Sequence, residues 1–294
     1  MHKLTQPVKV KLKKYACLLL TLLTLRSRMK KKPIESYLRI ILIVALTGFL
    51  CGCIYWVRAY QTYLQMNEFD RYFAVTVNDD FTLQFKKPIL YSRDFISLSR
   101  LQPSLKFPAI DGSKRWRYWF RKVDRNNKII IPEIKFYSDL NFNNKDRITS
   151  WSFSSLFLQI APPKFLEVSL RSLGGAEINK EKMQLRANTA LLEKISADLP
   201  KKPTVVGQLG NPLEVIDDKE TEVYMYRFLL DTLEIEEGYE DRANSEIKLT
   251  FDKSSNELIK MAGSFAGLKV SINYKNFLEN SSSEDQTSTI IKDN

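Results

Sequence analysis

"SFSSLFLQIAPPKFL" occupies Ser152–Leu166, and "SFAGLKVSINYKNFL" occupies Ser264–Leu278. Six of the fifteen aligned positions are identical: Ser152/Ser264, Phe153/Phe265, Leu156/Leu268, Ile160/Ile272, Phe165/Phe277 and Leu166/Leu278. Any two alternating β-rich strings share some residues, so the decisive test is the order of what precedes each.

Upstream of the first copy, "SRDFISLSRLQP" (Ser92–Pro103) has a serine cap, an acid in its first turn and a terminating proline, which predicts a short helix. "KRWRYWF" (Lys114–Phe120) then puts Trp116, Tyr118 and Phe120 on one face of a strand and Arg115, Arg117 and Trp119 on the other. "EIKFYSDLNF" (Glu133–Phe142) and "RITSWSF" (Arg147–Phe153) supply two further strands.

Upstream of the second copy the order returns. Asn179 opens a mostly apolar stripe through Leu185, Asn188, Leu192, Ile195 and Leu199 that predicts a long helix ending at Pro200, and "TVVGQL" (Thr204–Leu209) predicts a short one. "EVYMYRF" (Glu222–Phe228), "EIKLTF" (Glu246–Phe251) and "ELIKMAGSF" (Glu257–Phe265) match the three earlier strands in order. Matching order across four features favours duplication of one α+β module over coincidence.

Outside the repeat, "AVTVNDDFTLQF" (Ala74–Phe85) alternates around Asn78, Asp79 and Asp80 and predicts a hairpin. Gly174 and Gly175 end a helix over "PPKFLEVSLRSL", and "ENSSSEDQTSTIIKDN" (Glu279–Asn294) has the composition of a disordered tail.

The net charge of +11 is unevenly placed. Residues 1–39 hold eleven Lys and Arg against Glu35 alone, so the rest of the 294-residue chain is close to neutral and nucleic acid is not an expected partner. "IILIVALTGFLCGCIYWV" (Ile40–Val57) is uncharged and flanked by Arg39 and Arg58, which predicts one transmembrane helix with a cytoplasmic N-terminus. Met29, opening "MKKKPIESYLR", reads as the functional start. "LCGC" (Leu50–Cys53) resembles a bacterial lipobox with Cys53 lipidated, the alternative to an uncleaved anchor.

The expected organisation is therefore a basic segment (1–39), an anchor (40–57), a helical stalk (58–73), α+β modules over 74–174 and 175–278, and a tail (279–294). The expected fold class is α+β: a transmembrane helix followed by two tandem modules, each with helices packed on a small antiparallel sheet. The expected location is the inner membrane of a bacterium, single pass, with the body in the periplasm.

Chemistry is narrowed by what the body lacks. Cys17, Cys51 and Cys53 precede it or lie in the anchor, and the one histidine is His2, so no imidazole- or thiol-based catalysis or metal site is expected there. No phosphate-binding glycine loop occurs, and no cofactor or metal is expected. The acidic run "EIEEGYED" (Glu234–Asp241) fits no calcium-loop spacing and reads as a solvated loop.

"TVVGQLGNP", "VYMYRF" and "IKLTFD" together resemble the SmpA/OmlA family of small envelope lipoproteins, through Thr204, Leu209, Gly210, Pro212, Tyr224, Tyr226 and Phe251. A weaker echo runs through Leu101, Pro103, Trp116 and Tyr118. The resemblance implies two helices on a three-stranded sheet, used for protein contacts in the bacterial envelope without catalysis.

One surface could bind an anion. Arg115, Arg117, Trp119, Arg121 and Lys122 mix positive charge with an aromatic ring, the composition that holds lipid headgroups or an acidic polymer. The same residues serve equally as the wet face of a strand whose other face is core. The function expected from sequence is a membrane-anchored protein-interaction or scaffolding element of envelope biogenesis, with an unidentified envelope protein as partner. The alternative is an anion-binding module built on residues 114–122.

Overall fold

Apolar residues at every second position need a sheet with one dry face, and most of this chain is written that way. The computed structural model describes residues 54–179, 184–188, 194–232, 234–265, 268–279 and 287–292. The chain divides into two compact units, Met1–Cys53 and Ile54–Asn294, and every described residue belongs to the second.

Helices α1 (Ile54–Gln65) and α2 (Phe69–Tyr72) lead into the hairpin β1 (Phe73–Val77) and β2 (Phe81–Phe85). Helix α3 (Ser92–Ser99) is followed by β3 (Leu105–Pro108), β4 (Lys114–Lys122), β5 (Lys135–Phe142) and β6 (Ile148–Phe153). Helix α4 (Pro163–Ser172) precedes β7 (Glu177–Asn179) and β8 (Gln184–Asn188). Helix α5 (Lys202–Leu209) is followed by β9 (Glu214–Asp217), β10 (Thr221–Asp231), β11 (Asn244–Asp252) and β12 (Leu258–Phe265). β13 (Leu268–Asn273) and β14 (Thr287–Lys292) complete the order.

Among the described residues these fourteen strands form one curled antiparallel sheet, ordered β1-β2-β6-β5-β4-β10-β11-β12-β13-β14-β8-β7. The short strands β3 and β9 lie off this path, on β4 and β10 respectively. The predicted α+β class, with helices on two small separate sheets, is thereby corrected. A helix and four strands do recur, over 92–153 and 202–265, but β4 and β10 pair through Trp119↔Asp231 to Lys122↔Phe228 and merge the halves.

The core explains why the halves cannot stand apart. Phe136 stacks on Phe120 at 4.9 Å within the first half and meets Phe228 of the second edge-on, also at 4.9 Å. Phe265 closes on Phe120 and Phe157 at 6.2 and 6.0 Å. Removing one such buried ring typically costs about 3–5 kcal/mol, and here the loss falls on both halves at once.

The two repeated segments meet in this core and then part company. Ser152 and Ser264 each lie near the end of a strand, β6 and β12, after which the first segment turns into α4 while the second continues into β13. Phe165 packs edge-on against Tyr274 at 5.0 Å, and the Tyr274 hydroxyl donates to the Ile160 carbonyl. Ile160, Phe165, Ile272 and Phe277 are all buried, so the shared apolar positions serve one core from two different backbones.

Three further expectations are corrected. The long helix after Asn179 is not formed where it is described: Gln184–Asn188 is strand β8, paired to β14, and residues 180–183 and 189–193 lie outside the described residues. The expected tail contributes β14. Residues 40–53 of the expected anchor, with Cys53, also lie outside the described residues, and no described helix is long and apolar enough to cross a membrane.

The single-pass inner-membrane assignment, and the periplasmic location drawn from it, are withdrawn on that finding. Arg58, expected at a membrane boundary, is instead bound by both guanidinium arms to the buried carboxylate of Asp94 on α3, with Nε at 2.7 Å from Oδ2. The expected stalk is helical but lies against the body: Thr62 and Gln65 are buried, Tyr63 Oη donates to the Ala176 carbonyl at 2.8 Å, and Gln65 Nε2 to that of Lys87 at 3.1 Å.

Candidate functional site

The basic strand was the one surface singled out for a ligand, and β4 does split its side chains by face. Trp116 and Phe120 are buried, while Arg115, Arg117, Trp119 and Arg121 lie on the opposite side. What the alternation leaves open is the neighbour across the ladder. Arg117 stands opposite Asp139 of β5 and takes it in a two-pronged pair, Nε to Oδ1 at 2.8 Å and Nη2 to Oδ2 at 2.7 Å.

That pair is further enclosed. The Arg117 guanidinium lies 3.7 Å over the Tyr137 ring, and Tyr137 Oη donates to Asp80 at 2.6 Å. Burial and the Asp80 carboxylate hold the Tyr137 phenol up at about 12. Trp119 meets Tyr137 edge-on at 5.1 Å.

The other bases are similarly engaged. Arg121 sits 2.7 Å from Asp231 and 3.3 Å from Glu133; Lys114 is 2.6 Å from Asp146. Arg115, nearly half exposed, lies 4.5 Å over Phe107 and 3.9 Å from Asp139.

Lys122 has a different role. Its side chain is buried, and Nζ donates to the carbonyls of Leu209 and Asn211, both at 2.6 Å, at the C-terminal end of α5. A lysine there satisfies carbonyls that the helix end leaves unpaired and meets the negative end of the helix dipole. Burial pushes its ammonium below the usual lysine range. The five residues thus lie together; the charges of Arg117, Arg121 and Lys122 are met within the fold, while Arg115 stays nearly half exposed.

The residues that carried the family resemblance also do structural work. Tyr224 packs edge-on against Phe251 at 5.2 Å, and Tyr226 Oη donates to the Gly210 carbonyl at 3.2 Å. Among the described residues no cluster of three or more His, Cys, Asp or Glu is arranged to hold a metal ion.

What the sequence reading missed lies at the seam. β4 and β10 pair directly over only four residues; beyond them β3 lies along the start of β4, and β9 along the start of β10. All four residues of each short strand are exposed, and among the described residues each strand has a partner on one side only. Both carry bulky apolar side chains into solvent: Leu105 and Phe107 on β3, Val215 and Ile216 on β9. A free strand edge presents unpaired N–H and C=O groups, which is a template for another strand.

No family model, no curated protein and no solved structure matches the chain. The resemblance to the SmpA/OmlA family therefore rests on the quoted residues alone.

Proposed function

We propose that this sheet is a protein-interaction module that takes up an extended segment of a partner as an added strand at the seam. The observation that carries the reading is the pair of exposed strands β3 and β9, each open on one side among the described residues and each bearing large apolar side chains. In strand addition the main chain supplies the hydrogen bonds and alternate side chains supply the choice of partner. The expected anion-binding surface is less well supported, because Arg117, Arg121 and Lys122 already have their counterparts.

The test is selection of random peptides on the full chain, followed by amide hydrogen exchange with a selected binder. New protection at Leu105–Pro108 or Glu214–Asp217 is the expected result. Protection confined to the Arg115–Arg121 face would overturn the reading.

A further inference from the structure

The two exposed strands are not equivalent, and the difference follows from which backbone groups point outward. In an antiparallel strand, successive residues turn their N–H and C=O groups alternately toward one neighbour and the other. The Ala109 amide donates to the Ser113 carbonyl at 2.9 Å, so Phe107 and Leu105 also face β4, and Lys106 and Pro108 face the open side. Proline has no N–H to offer there, which is how natural sheets blunt an edge.

On β9 the Asp218 amide donates to the Thr221 carbonyl at 2.9 Å, so Ile216 and Glu214 face β10 while Val215 and Asp217 face outward. Both have amides to donate. The open side of β9 is thus unblunted, within seven consecutive exposed residues, Glu214–Glu220.

Charge then selects the occupant. The hairpin "EVIDDKETE" (Glu214–Glu222) has five acids and one lysine, a net of −4. Glu222 is held by Lys202 at 2.8 Å and Asp217 by Lys253 at 2.5 Å, while Glu214 has, among the described residues, only the exposed Arg125 at 3.8 Å. Asp218 and Glu220 have no basic side chain within ion-pair distance among the described residues.

Like charges facing each other across a ladder are destabilising, so a second copy of this hairpin is a poor occupant. An antiparallel copy centred on Ile216 sets Glu214 against Asp218 twice, one centred on Asp217 sets two aspartates face to face, and one centred on Val215, with no like pair directly opposite, still brings together two hairpins of net charge −4. We infer that β9 is the working edge and that its occupant is an extended segment of another protein in which lysine or arginine flanks β-branched residues. This rests on the strand-addition reading and narrows it to one edge and one partner chemistry.

The experiment uses the full chain and two fluorescent peptides, Lys-Val-Lys-Val-Thr-Lys and Glu-Val-Glu-Val-Thr-Glu, read by anisotropy. The basic peptide is expected to bind at least about tenfold tighter. Val215→Pro removes an outward amide without touching the bonds to β10, and should weaken that binding about tenfold or more. Asp218→Lys with Glu220→Lys brings the hairpin from −4 to zero, keeps the β9 amides while removing the Asp218 acceptor of the Lys219 amide, and should abolish the preference.

Unchanged preference in the double variant, with binding still lost in Val215→Pro, overturns the basic partner while leaving strand addition standing. Full binding by a folded Val215→Pro variant overturns the choice of edge. A dimer in light scattering that Val215→Pro converts to monomer makes the occupant a second copy and overturns the inference. If neither peptide binds while library-selected peptides protect Leu105–Pro108, the inference fails and the broader reading survives.

Discussion

Lys122→Met keeps the length of the side chain and deletes its charge and its donors. In the native protein Nζ holds the carbonyls of Leu209 and Asn211, so one side chain of β4 ties the first half of the sheet to helix α5 of the second. The Leu209 carbonyl is buried, and leaving it without its donor costs about 1–3 kcal/mol; Asn211 is exposed, so its carbonyl can turn to water instead. Against this, methionine relieves the cost of burying an ammonium, a cost visible in the lowered lysine pKa. We expect a net loss of about 1–2 kcal/mol at neutral pH, read as a reduced midpoint in guanidinium denaturation.

The pH dependence separates the two contributions. A lysine whose folded pKa lies below its ordinary value releases its proton sooner in the folded state, so in that window the unfolded chain binds more protons and stability rises with pH. The neutral amine still has two N–H groups for two carbonyls, so the hydrogen bonds survive the titration. The stability of the native protein relative to Lys122→Met should therefore grow as pH rises toward the usual lysine value of 10.5. Denaturation curves for both proteins at three pH values between neutrality and pH ~9.5 decide the matter, with tyrosine ionisation largely avoided. Equal stability of the two proteins at neutral pH, or a gap that narrows with rising pH, would refute the reasoning.

Asp94→Asn leaves the Arg58 guanidinium without its carboxylate beneath α1 and weakens the bond from the Tyr91 amide that starts α3. It should cost about 3–5 kcal/mol, with accelerated amide exchange over Ile54–Gln65; exchange unchanged there would show that the pair does not hold α1 down. Gly174→Ala brings a methyl group to 2.3 Å from the Met66 carbonyl oxygen and should cost about 1–3 kcal/mol in thermal or chemical melts. Gly175→Ala, with nothing within 4 Å, serves as the control, and equal melting of the two variants would discount the close approach.

Much of the strand content was legible because its signal is local. The hairpin around Asn78–Asp80, the aromatic faces of β4 and β10, and the strands ending at Phe142, Phe153, Asp252 and Phe265 follow from alternation bounded by turn residues. The stripe from Leu185 to Leu199 misled for the opposite reason: its spacing suits a helix, but Gln184–Asn188 pairs with Thr287–Lys292, a hundred residues away in the chain, and pairing outweighs propensity. Arg117 illustrates the same limit at the candidate site. Its sequence neighbours suggest an open basic surface, whereas Asp139 and Tyr137, brought opposite by the β4–β5 register, absorb its charge.

By itself the sequence determined most of the long strands, which of their faces are dry, and that one order of elements is written twice; it did not determine β8 or β14, whose strand state depends on a partner a hundred residues away. Only the tertiary structure decided that the two copies share a sheet and a core, because the β4–β10 pairing joins residues far apart in the chain with no local mark of the contact. The same holds for the free edge of β9. Whether a backbone amide faces a neighbour or open space depends on register, and a single residue of slip would turn Val215 and Asp217 inward and leave Glu214 and Ile216 on the open side.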